Sequence, residues 1–328
     1  MRNEGAFLLE WVVWYRSLGF SSVVVVTNDC TDRSPDLLDA LAQAGWVEHL
    51  QVDMKAGQAG ITRAKLIAAG ETRSVRRAQT VLVCDVDEFL VIHRGEGKIA
   101  DLLAAPGRDY LGMSINWRVF GSGGIVTYDD VPVHQQFTVA VGRKRYLNSA
   151  VKSLHRHPRW FQRLGEHGPV NLDLAKAQRE AGATWGEGGL VWVGPSGQRV
   201  PGWTPEGPYL RTVPLSAIDH SVAQFNHYML RSAESFSLKR GTLSPVAARD
   251  RYTATYWSRA DRRDEFDDSA LRYADRFAAT HRAALALPGV ARLHHLCCAD
   301  HLAATLRKAG RRPEDDPRHA AFLARAGA

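Results

Sequence analysis

The chain has 328 residues, of which 45% are hydrophobic and 23% are charged. These proportions are typical of a globular protein with a sizeable core, and they exclude general disorder, a collagen-like repeat and a disulfide scaffold. Lys and Arg together number 42 and Asp and Glu 35, so the formal net charge is +7. Such an excess suits contact with anionic nucleotides, sugar phosphates or acidic lipid head groups, without identifying which of them is bound.

The four cysteines, Cys30, Cys84, Cys297 and Cys298, include no CxxC pair. We therefore expect a reducing compartment and no zinc site built on cysteine. Residues 1–15 contain internal charges and lack a cleavage site with small residues, which argues against a signal peptide. The longest apolar runs are shorter than the roughly 20 residues that span a bilayer, so no transmembrane helix is expected.

The first third of the sequence alternates between helical and strand-like segments. This alternation is typical of an open α/β sheet, in which ligands bind outside the carboxyl ends of the strands. The acidic loops 28–32 and 85–88 are expected at that edge. In chain order, the pattern predicts a helix over 6–18, a strand over 22–27, a helix from 34 to about 45, a strand over 47–52, a helix over 61–78 and a strand over 80–84.

The remainder of the sequence divides into two regions. Residues 110–240 are rich in Gly, Pro and Trp and contain short apolar runs, which predicts mixed or antiparallel strands joined by long loops. Residues 245–326 are rich in Ala and Arg and are predicted to be helical.

Asp85 and Asp87 carry the sharpest chemical signal, because they directly follow the predicted strand over 80–84. Two carboxylates in this spacing can share Mg²⁺ or Mn²⁺, which prefer oxygen ligands and keep substrate phosphates in their shell. The alternative is a turn at the end of a strand with solvated acids.

Three segments, RNEGAFLLEWVVWYRSLGF, VVVVTNDCTDRSPDLLDAL and VLVCDVDEFL, resemble in this order a bacterial branch of the family-two glycosyltransferases. The resemblance covers residues 2–130 and continues more thinly through WRVFGSGG, VKSL, NHYMLRSAESFSLKRG and the acidic stretch that ends at residue 268. It implies an α/β protein with a GT-A-like, Rossmann-type mixed sheet flanked by helices. The catalytic domain would span 1–243, and a helical C-terminal extension 244–328.

The resemblance also implies a buried strand before the Asn3-Glu4 pair. This sequence begins at Met1-Arg2, so we expect that strand to be absent or reduced to almost nothing.

The resemblance assigns roles to individual residues. Asp85, Asp87 and His227 would hold Mn²⁺ or Mg²⁺, although His227 could instead be a core or loop histidine. Asn28 and Asp29 could bind the nucleotide or form a turn that caps the following helix. Arg231 could neutralise phosphate charge or be solvated. The full set expected to bind the nucleotide sugar is Asn3, Glu4, Asn28, Asp29, Gln58, Arg63 and Asp85.

An inverting transfer also needs a group that takes the proton of the acceptor hydroxyl. The candidates for this base are Asp267, Asp268, Asp219, Glu166 and His167, and Trp117 could shape the acceptor site.

The resulting hypothesis is a metal-dependent, inverting glycosyltransferase that moves a sugar from a nucleotide-sugar donor to a carbohydrate or lipid-linked acceptor. The resemblance suggests polysaccharide biosynthesis. The cysteines favour the cytoplasm, with peripheral contact to the inner membrane left open. Nucleic-acid binding is not expected, because the basic residues form no known motif.

Two other classes compete with this hypothesis. A phosphohydrolase of the haloacid dehalogenase type also places a DxD after a buried strand and uses the first Asp as nucleophile. Its motif normally lies near the N-terminus and continues with Thr or Val, whereas this sequence continues with Glu88-Phe89. A non-catalytic protein whose Trp and Tyr side chains stack on sugars is the third possibility.

Overall fold

A computed structural model describes residues 1–54, 60–186, 189–242 and 250–327. The chain forms two compact units from interleaved segments. Unit 1 comprises Met1–Ile61, Phe120–Ala140 and Tyr228–Ala328, and unit 2 comprises Thr62–Val119 and Val141–His227. The C-terminal helices therefore belong to the same unit as the N-terminal segment. The predicted boundary between residues 243 and 244 falls among residues outside the described part of the chain.

In the described residues the helices are α1 (Gly5–Ser17), α2 (Ser34–Gln43), α3 (Ile61–Glu71), α4 (Arg73–Arg77), α5 (Ile99–Ala104), α6 (Val133–Gln136), α7 (Leu174–Ala181), α8 (Ala233–Lys239), α9 (Ala254–Ala260), α10 (Ala274–Leu285), α11 (Val290–Lys308) and α12 (Pro317–Gly327). The strands are β1 (Val24–Thr27), β2 (Glu48–Gln51), β3 (Thr80–Leu82), β4 (Glu88–Ile92), β5 (Gly112–Val119), β6 (Val139–Ala140), β7 (Val151–Arg156), β8 (Phe161–Leu164), β9 (Pro169–Leu172), β10 (Trp192–Val193), β11 (Ala223–His227) and β12 (Glu265–Phe266).

Unit 2 is built on a mixed sheet of six strands. Five strands follow the order β3-β7-β5-β11-β4, and β10 pairs with β5. Strand β5 runs parallel to β10 and β11, whereas the β3–β7, β5–β7 and β4–β11 pairs are antiparallel. The predicted mixed α/β class, the mixed sheet and the helical C-terminal part are confirmed.

Strands β1 and β2 differ from the single open sheet that the N-terminal alternation predicts. They pair with each other in a parallel two-stranded sheet of unit 1, while β3 pairs antiparallel with β7 in unit 2. The backbone of Met1 lies beside β1, since its amino group donates to the Val26 carbonyl and its carbonyl accepts from the Asn28 amide. Alternation along the chain predicts that strands form, but β7 lies far downstream and local pattern cannot reveal it as the partner of β3.

Helix α1 forms the centre of unit 1. Every residue of this helix except Arg16 is buried, and it packs on α2, α10 and α11. A helix that is apolar on nearly all sides needs neighbours on all sides. The indole of Trp14 shows this packing, because it contacts the rings of His134, Tyr273 and Phe277 at once.

His155, in the central part of the unit 2 sheet, is a buried histidine with unsatisfied polar atoms. It pairs with Val81 and Gly112, and both of its ring nitrogens are buried without a hydrogen-bond partner in the described residues. Its ring makes an edge contact with Phe161 at 5.1 Å. Burial lowers the pKa of His155 from 6.5 to about 3, so the folded protein holds it in the neutral form.

This burial predicts a loss of stability in acid. The unfolded chain protonates His155 below about pH 6.5, whereas the folded protein resists protonation down to about pH 3, so the neutral histidine costs stability as the pH falls through this window. We expect the His155→Phe variant to gain about 1.4 kcal/mol per pH unit relative to the wild type below pH 6.5. Urea unfolding between pH 7.5 and 4.5 measures the difference.

The packing control is Phe161→Leu, which should lower stability by a similar amount at every pH. A constant difference between wild type and His155→Phe across the range would contradict the predicted protonation behaviour.

Candidate functional site

The turn between β3 and β4 carries the two aspartates singled out in the sequence. Asp85 and Asp87 lie in this turn, and Glu88 is the first residue of β4. Two hydrogen bonds close the turn. The Glu88 amide donates to the Asp85 carbonyl at 3.1 Å, and the Asp85 amide donates to the Glu88 side chain, at Oε2, at 2.8 Å. The expected position of the DxD after a strand is confirmed, although β3 is shorter than predicted.

Lys152 on β7 lies at the centre of the site. Its Nζ is 3.0 Å from Asp85 Oδ2 and 3.1 Å from Glu88 Oε2, and it donates to the Glu166 carbonyl at 2.8 Å. The side chains of Lys152 and Glu88 are 1% and 0% exposed, whereas that of Asp85 is 70% exposed. The cluster therefore has a dry interior and one carboxylate open to solvent.

The protonation states in this cluster follow from burial and charge. Burial raises the pKa of Glu88 to about 7, and the neighbouring ammonium only partly opposes this rise. Loss of solvent lowers the pKa of Lys152, but Asp85 and Glu88 outweigh it and the net direction is upward. Although the Asp85 side chain reaches solvent, the protein around it raises its pKa; attraction to Lys152 outweighs this and brings the pKa below the usual value. Lys152 is therefore charged at neutral pH, and so is Asp85.

Asp87 and His227 are brought together by the pairing of β4 with β11. His227 stands opposite Glu88 in the antiparallel register, which places its Nε2 3.5 Å from Asp87 Oδ1. Both side chains are largely buried, and the ring of Trp117 packs on that of His227 at 4.2 Å. The buried His227 Nδ1 has no hydrogen-bond partner within the described ranges. The expected closeness of His227 and the DxD is thus present for Asp87.

A row of rings and one carboxylate border this cluster. His167 contacts Trp117 on one side and stacks on Tyr209 on the other, both at 5.7 Å between ring centroids. Glu166 Oε2 lies 3.5 Å from the Tyr209 hydroxyl and 3.6 Å from the Arg211 guanidinium. Burial lowers the pKa of His167 to about 4, with Lys152 adding to the effect. Because its Nδ1 donates to the Val151 carbonyl at 2.7 Å, the neutral ring keeps its lone pair on Nε2.

Unit 1 holds most of the residues expected to bind the nucleotide. Asn3 and Thr31 exchange two hydrogen bonds, which tie the N-terminal segment to the loop after β1. Asn28 is buried and donates to the Met54 carbonyl, and Asp29, in the left-handed region, accepts from Arg2 through its carbonyl. Asn3, Asn28 and Asp29 therefore belong to one local structure.

The carboxylate of Asp32 performs the capping role that was considered for Asn28 and Asp29. Its oxygens accept from the Ser34 amide at the start of α2 and from the Gly5 amide at the start of α1. Asp32 thus makes these contacts to both helix starts, and the capping alternative for Asn28 and Asp29 stays a prediction.

Glu4, another predicted nucleotide contact, is engaged within unit 1. Its Oε2 lies 2.7 Å from the Arg231 guanidinium, which is buried and packs over the ring of Phe7 at 3.6 Å. Arg231 is thus not solvated. Arg63 is exposed on α3 in unit 2, and Gln58 lies outside the described residues.

The remaining candidates for the base occupy structural turns. Asp219 accepts from Ser196, Gln198 and the Ser221 amide. In unit 1, Asp267 is buried and accepts from the Ser269 amide, and the Asp268 carbonyl accepts from the Leu271 amide. Their role as bases stays a prediction, as does that of Glu166.

Lys152 is a site residue that was not predicted from the sequence. Its VKSL segment was noticed only as part of the resemblance. The available signal is a lysine inside an apolar strand, because a buried lysine requires acidic partners. The partners themselves come from a distant turn and could not be read from the strand.

The carboxylates of the DxD do not form a tight three-residue cage with His227. Among the described residues, the only group of three His, Cys, Asp or Glu ligand atoms lying within 4.8 Å of one another is Asp130, His294 and Cys298, in unit 1. A metal at the DxD would therefore rely on substrate oxygens as well, which is usual for Mg²⁺.

Comparisons with protein-family models, with curated proteins and with solved structures each found no match to this chain. No helix in the described ranges has both the length and the apolar character that crossing a bilayer requires.

We expect removal of the Lys152 charge to destabilise the protein strongly. In Lys152→Met, the buried Glu88 loses its cation, and such a loss costs about 3–5 kcal/mol. The double variant Lys152→Met/Glu88→Gln should regain much of this free energy, because the buried carboxylate is also removed. Urea unfolding at pH 8 provides the comparison.

Lys98→Met serves as the control, since Lys98 pairs with Glu96 at the exposed surface and should cost less than about 1 kcal/mol. Strictly additive effects of the Lys152 and Glu88 substitutions would show that the two charges do not stabilise each other.

Proposed function

We propose that this protein is a divalent-metal-dependent glycosyltransferase of the GT-A type. It would transfer a sugar, with inversion, from a nucleotide-sugar donor to a carbohydrate or lipid-linked acceptor. The observation that carries the proposal is the meeting of Asp87 with His227, beside the Asp85–Lys152–Glu88 cluster, at one end of the β4–β11 pair. The resemblance of the DxD segment and its neighbours to family-two glycosyltransferases supports the same function.

The residues present fit a hard divalent cation. Asp87 offers a carboxylate oxygen and His227 an imidazole nitrogen 3.5 Å apart, and Asp85 exposes most of its carboxylate next to them in sequence. Mn²⁺ or Mg²⁺ held by Asp85, Asp87 and His227 would act as a Lewis acid on the departing nucleoside diphosphate. Lys152 holds Asp85 in its charged form and adds a fixed positive charge beside the DxD.

The surroundings also suit a sugar acceptor. Trp117, His167 and Tyr209 present a row of partly exposed rings, and mixed aromatic and polar linings are usual for ligand sites. Glu166 adjoins this row through its contact with Tyr209. Its backbone carbonyl accepts from Lys152 Nζ, which also donates to Asp85. Hydrogen bonds thus connect Glu166 to the DxD through Lys152, and we assign Glu166 the role of the base in the proposed reaction.

Donor binding gives the direct test. We expect UDP-, GDP-, dTDP- or CMP-sugars to raise the melting temperature in Mn²⁺, because ligands that bind only the folded state stabilise it. The matching nucleotide sugar should also release its nucleoside diphosphate slowly. Asp87→Asn should lower this release about 100-fold or more, since stabilisation of the leaving charge is lost. Asp109→Asn, an exposed acid in the same unit, should behave as the wild type.

If none of these nucleotide sugars shifts the melting temperature in Mn²⁺, the glycosyltransferase proposal fails. Turnover of an aryl phosphate that disappears in Asp85→Asn would then support the phosphohydrolase alternative.

The base assignment is tested separately. Glu166→Gln should lower kcat for transfer to an acceptor by roughly 100-fold to 10,000-fold, the range for loss of general base catalysis. The melting-temperature shift by the donor should stay unchanged, because the donor does not depend on this carboxylate. Measurement of kcat in Asp219→Asn, Asp267→Asn and Asp268→Asn completes the series, and a comparable fall in one of these with normal kcat in Glu166→Gln would reassign the base.

A further inference from the structure

A second cluster of metal-ligating side chains lies in unit 1, in residues that the proposed function does not use. His294 and Cys298 are one turn apart on α11, and Asp130 comes from the segment before α6. His294 Nε2 is 3.0 Å from Asp130 Oδ1 and 3.8 Å from Cys298 Sγ, and all three ligand atoms lie within 4.8 Å of one another.

These distances are close to those of a tetrahedral zinc site. With zinc bonds of about 2.3 Å to sulfur and 2.0–2.2 Å to nitrogen and oxygen, a tetrahedral angle separates nitrogen from sulfur by about 3.6 Å and nitrogen from oxygen by about 3.4 Å. The observed separations of 3.8 and 3.0 Å differ from these by only a few tenths of an ångström. Small side-chain rotations would bring these two separations to the tetrahedral values.

The chemistry of the three ligands points to a transition metal rather than Mg²⁺. Thiolate and imidazole select zinc and related ions, whereas Mg²⁺ prefers oxygen alone. The Cys298 thiol is buried, and a metal would bind it as the thiolate with release of its proton. Asp130 supplies a carboxylate oxygen 3.0 Å from His294 Nε2.

A further unsatisfied group faces the same carboxylate. His295 Nδ1 is buried without a hydrogen-bond partner in the described part of the chain and lies 3.7 Å from Asp130 Oδ2. This separation is too long for a hydrogen bond. An imidazole nitrogen is a common zinc ligand. His295 thus borders the cluster through Asp130, although it does not belong to the group whose ligand atoms all lie within 4.8 Å of one another.

The segment that carries Asp130 is fixed on both sides. Ahead of it, the Tyr128 amide donates to Glu234, and the Arg318 guanidinium binds both Glu234 and the Tyr128 carbonyl. Behind it, the Val133 amide donates to the buried Glu10 carboxylate at 2.8 Å. The helix fixes the other two ligands. Such rigid support keeps a ligand set in place before the ion arrives.

We propose that Asp130, His294 and Cys298 bind one transition-metal ion, zinc by the chemistry of the set, which fastens the segment before α6 to α11. The competing interpretation is a metal-free network, in which His294 and Asp130 form an ion pair and the Cys298 thiol is hydrogen-bonded to its neighbours. The two differ in whether the thiol acts as a ligand.

Cobalt titration of the chelator-treated full-length protein tests the proposal. One Co²⁺ per chain should produce visible d–d bands and a near-ultraviolet thiolate-to-cobalt band, and Zn²⁺ should displace it and raise the melting temperature. The thiolate band should be lost in Cys298→Ser. It should persist in Cys297→Ser, because Cys297 Sγ adjoins Gly5 rather than this cluster.

Asp87→Asn separates this site from the proposed catalytic metal, and it should retain the full cobalt band. Absence of a thiolate band in the wild type at saturating Co²⁺, together with no effect of Zn²⁺ on its melting temperature, would refute the proposal even if the variants fail to fold. A band that survives in Cys298→Ser but not in Cys297→Ser would refute it as well.

Discussion

The burial of the Lys152 ammonium constrains the arrangement of the whole candidate site. An ammonium removed from water is costly unless opposite charges and hydrogen bonds surround it. Asp85, Glu88 and the Glu166 carbonyl supply these contacts from two other segments of the chain. The turn after β3 cannot move away from β7 without leaving the cation unpaired. The exposed face of Asp85 and the position of Asp87 next to His227 follow from that constraint.

Buried or partly buried carboxylates position several loops in unit 1 in the same manner. Asp32 accepts from the backbone at the start of both α1 and α2, and Glu10 accepts from the Val133 amide. Glu234 accepts from the Tyr128 amide and binds Arg318. Charge-assisted hydrogen bonds to backbone amides are stronger than neutral ones, so a single acid can fix an irregular segment. Asp32, Glu10 and Glu234 therefore have a structural role in unit 1.

Local structure could be predicted well from the sequence, because it depends on short patterns. The helix expected over 6–18 is α1, Gly5–Ser17, and the strand expected over 47–52 is β2, Glu48–Gln51. The spacing of apolar residues did not show that α1 is buried on nearly all sides, since that depends on α10 and α11 at the other end of the sequence. The pairing of β3 with β7 could not be predicted for the same reason.

The candidate sites, like the fold, could be predicted from the sequence only in part. The DxD was visible because both carboxylates lie in one short segment, and His227 was found only through the resemblance. Asp130 could not be connected with His294 and Cys298, because nothing in the sequence indicates that the segment before α6 reaches α11. The lack of a CxxC pair also gave no indication of this cluster, because it contains a single thiol beside an imidazole and a carboxylate.

The charges of the DxD cluster bear on how the proposed donor and its metal would bind. Lys152 already offsets part of the negative charge of Asp85, and Glu88, with its pKa near 7, carries only a partial charge at neutral pH. The attraction of this cluster for a free divalent ion is therefore weaker than three acidic residues suggest. A diphosphate would add negative charge and oxygen ligands to the site. Under the proposed function, the metal and the nucleotide sugar should thus favour each other's binding, and by linkage each should raise the affinity for the other by the same factor.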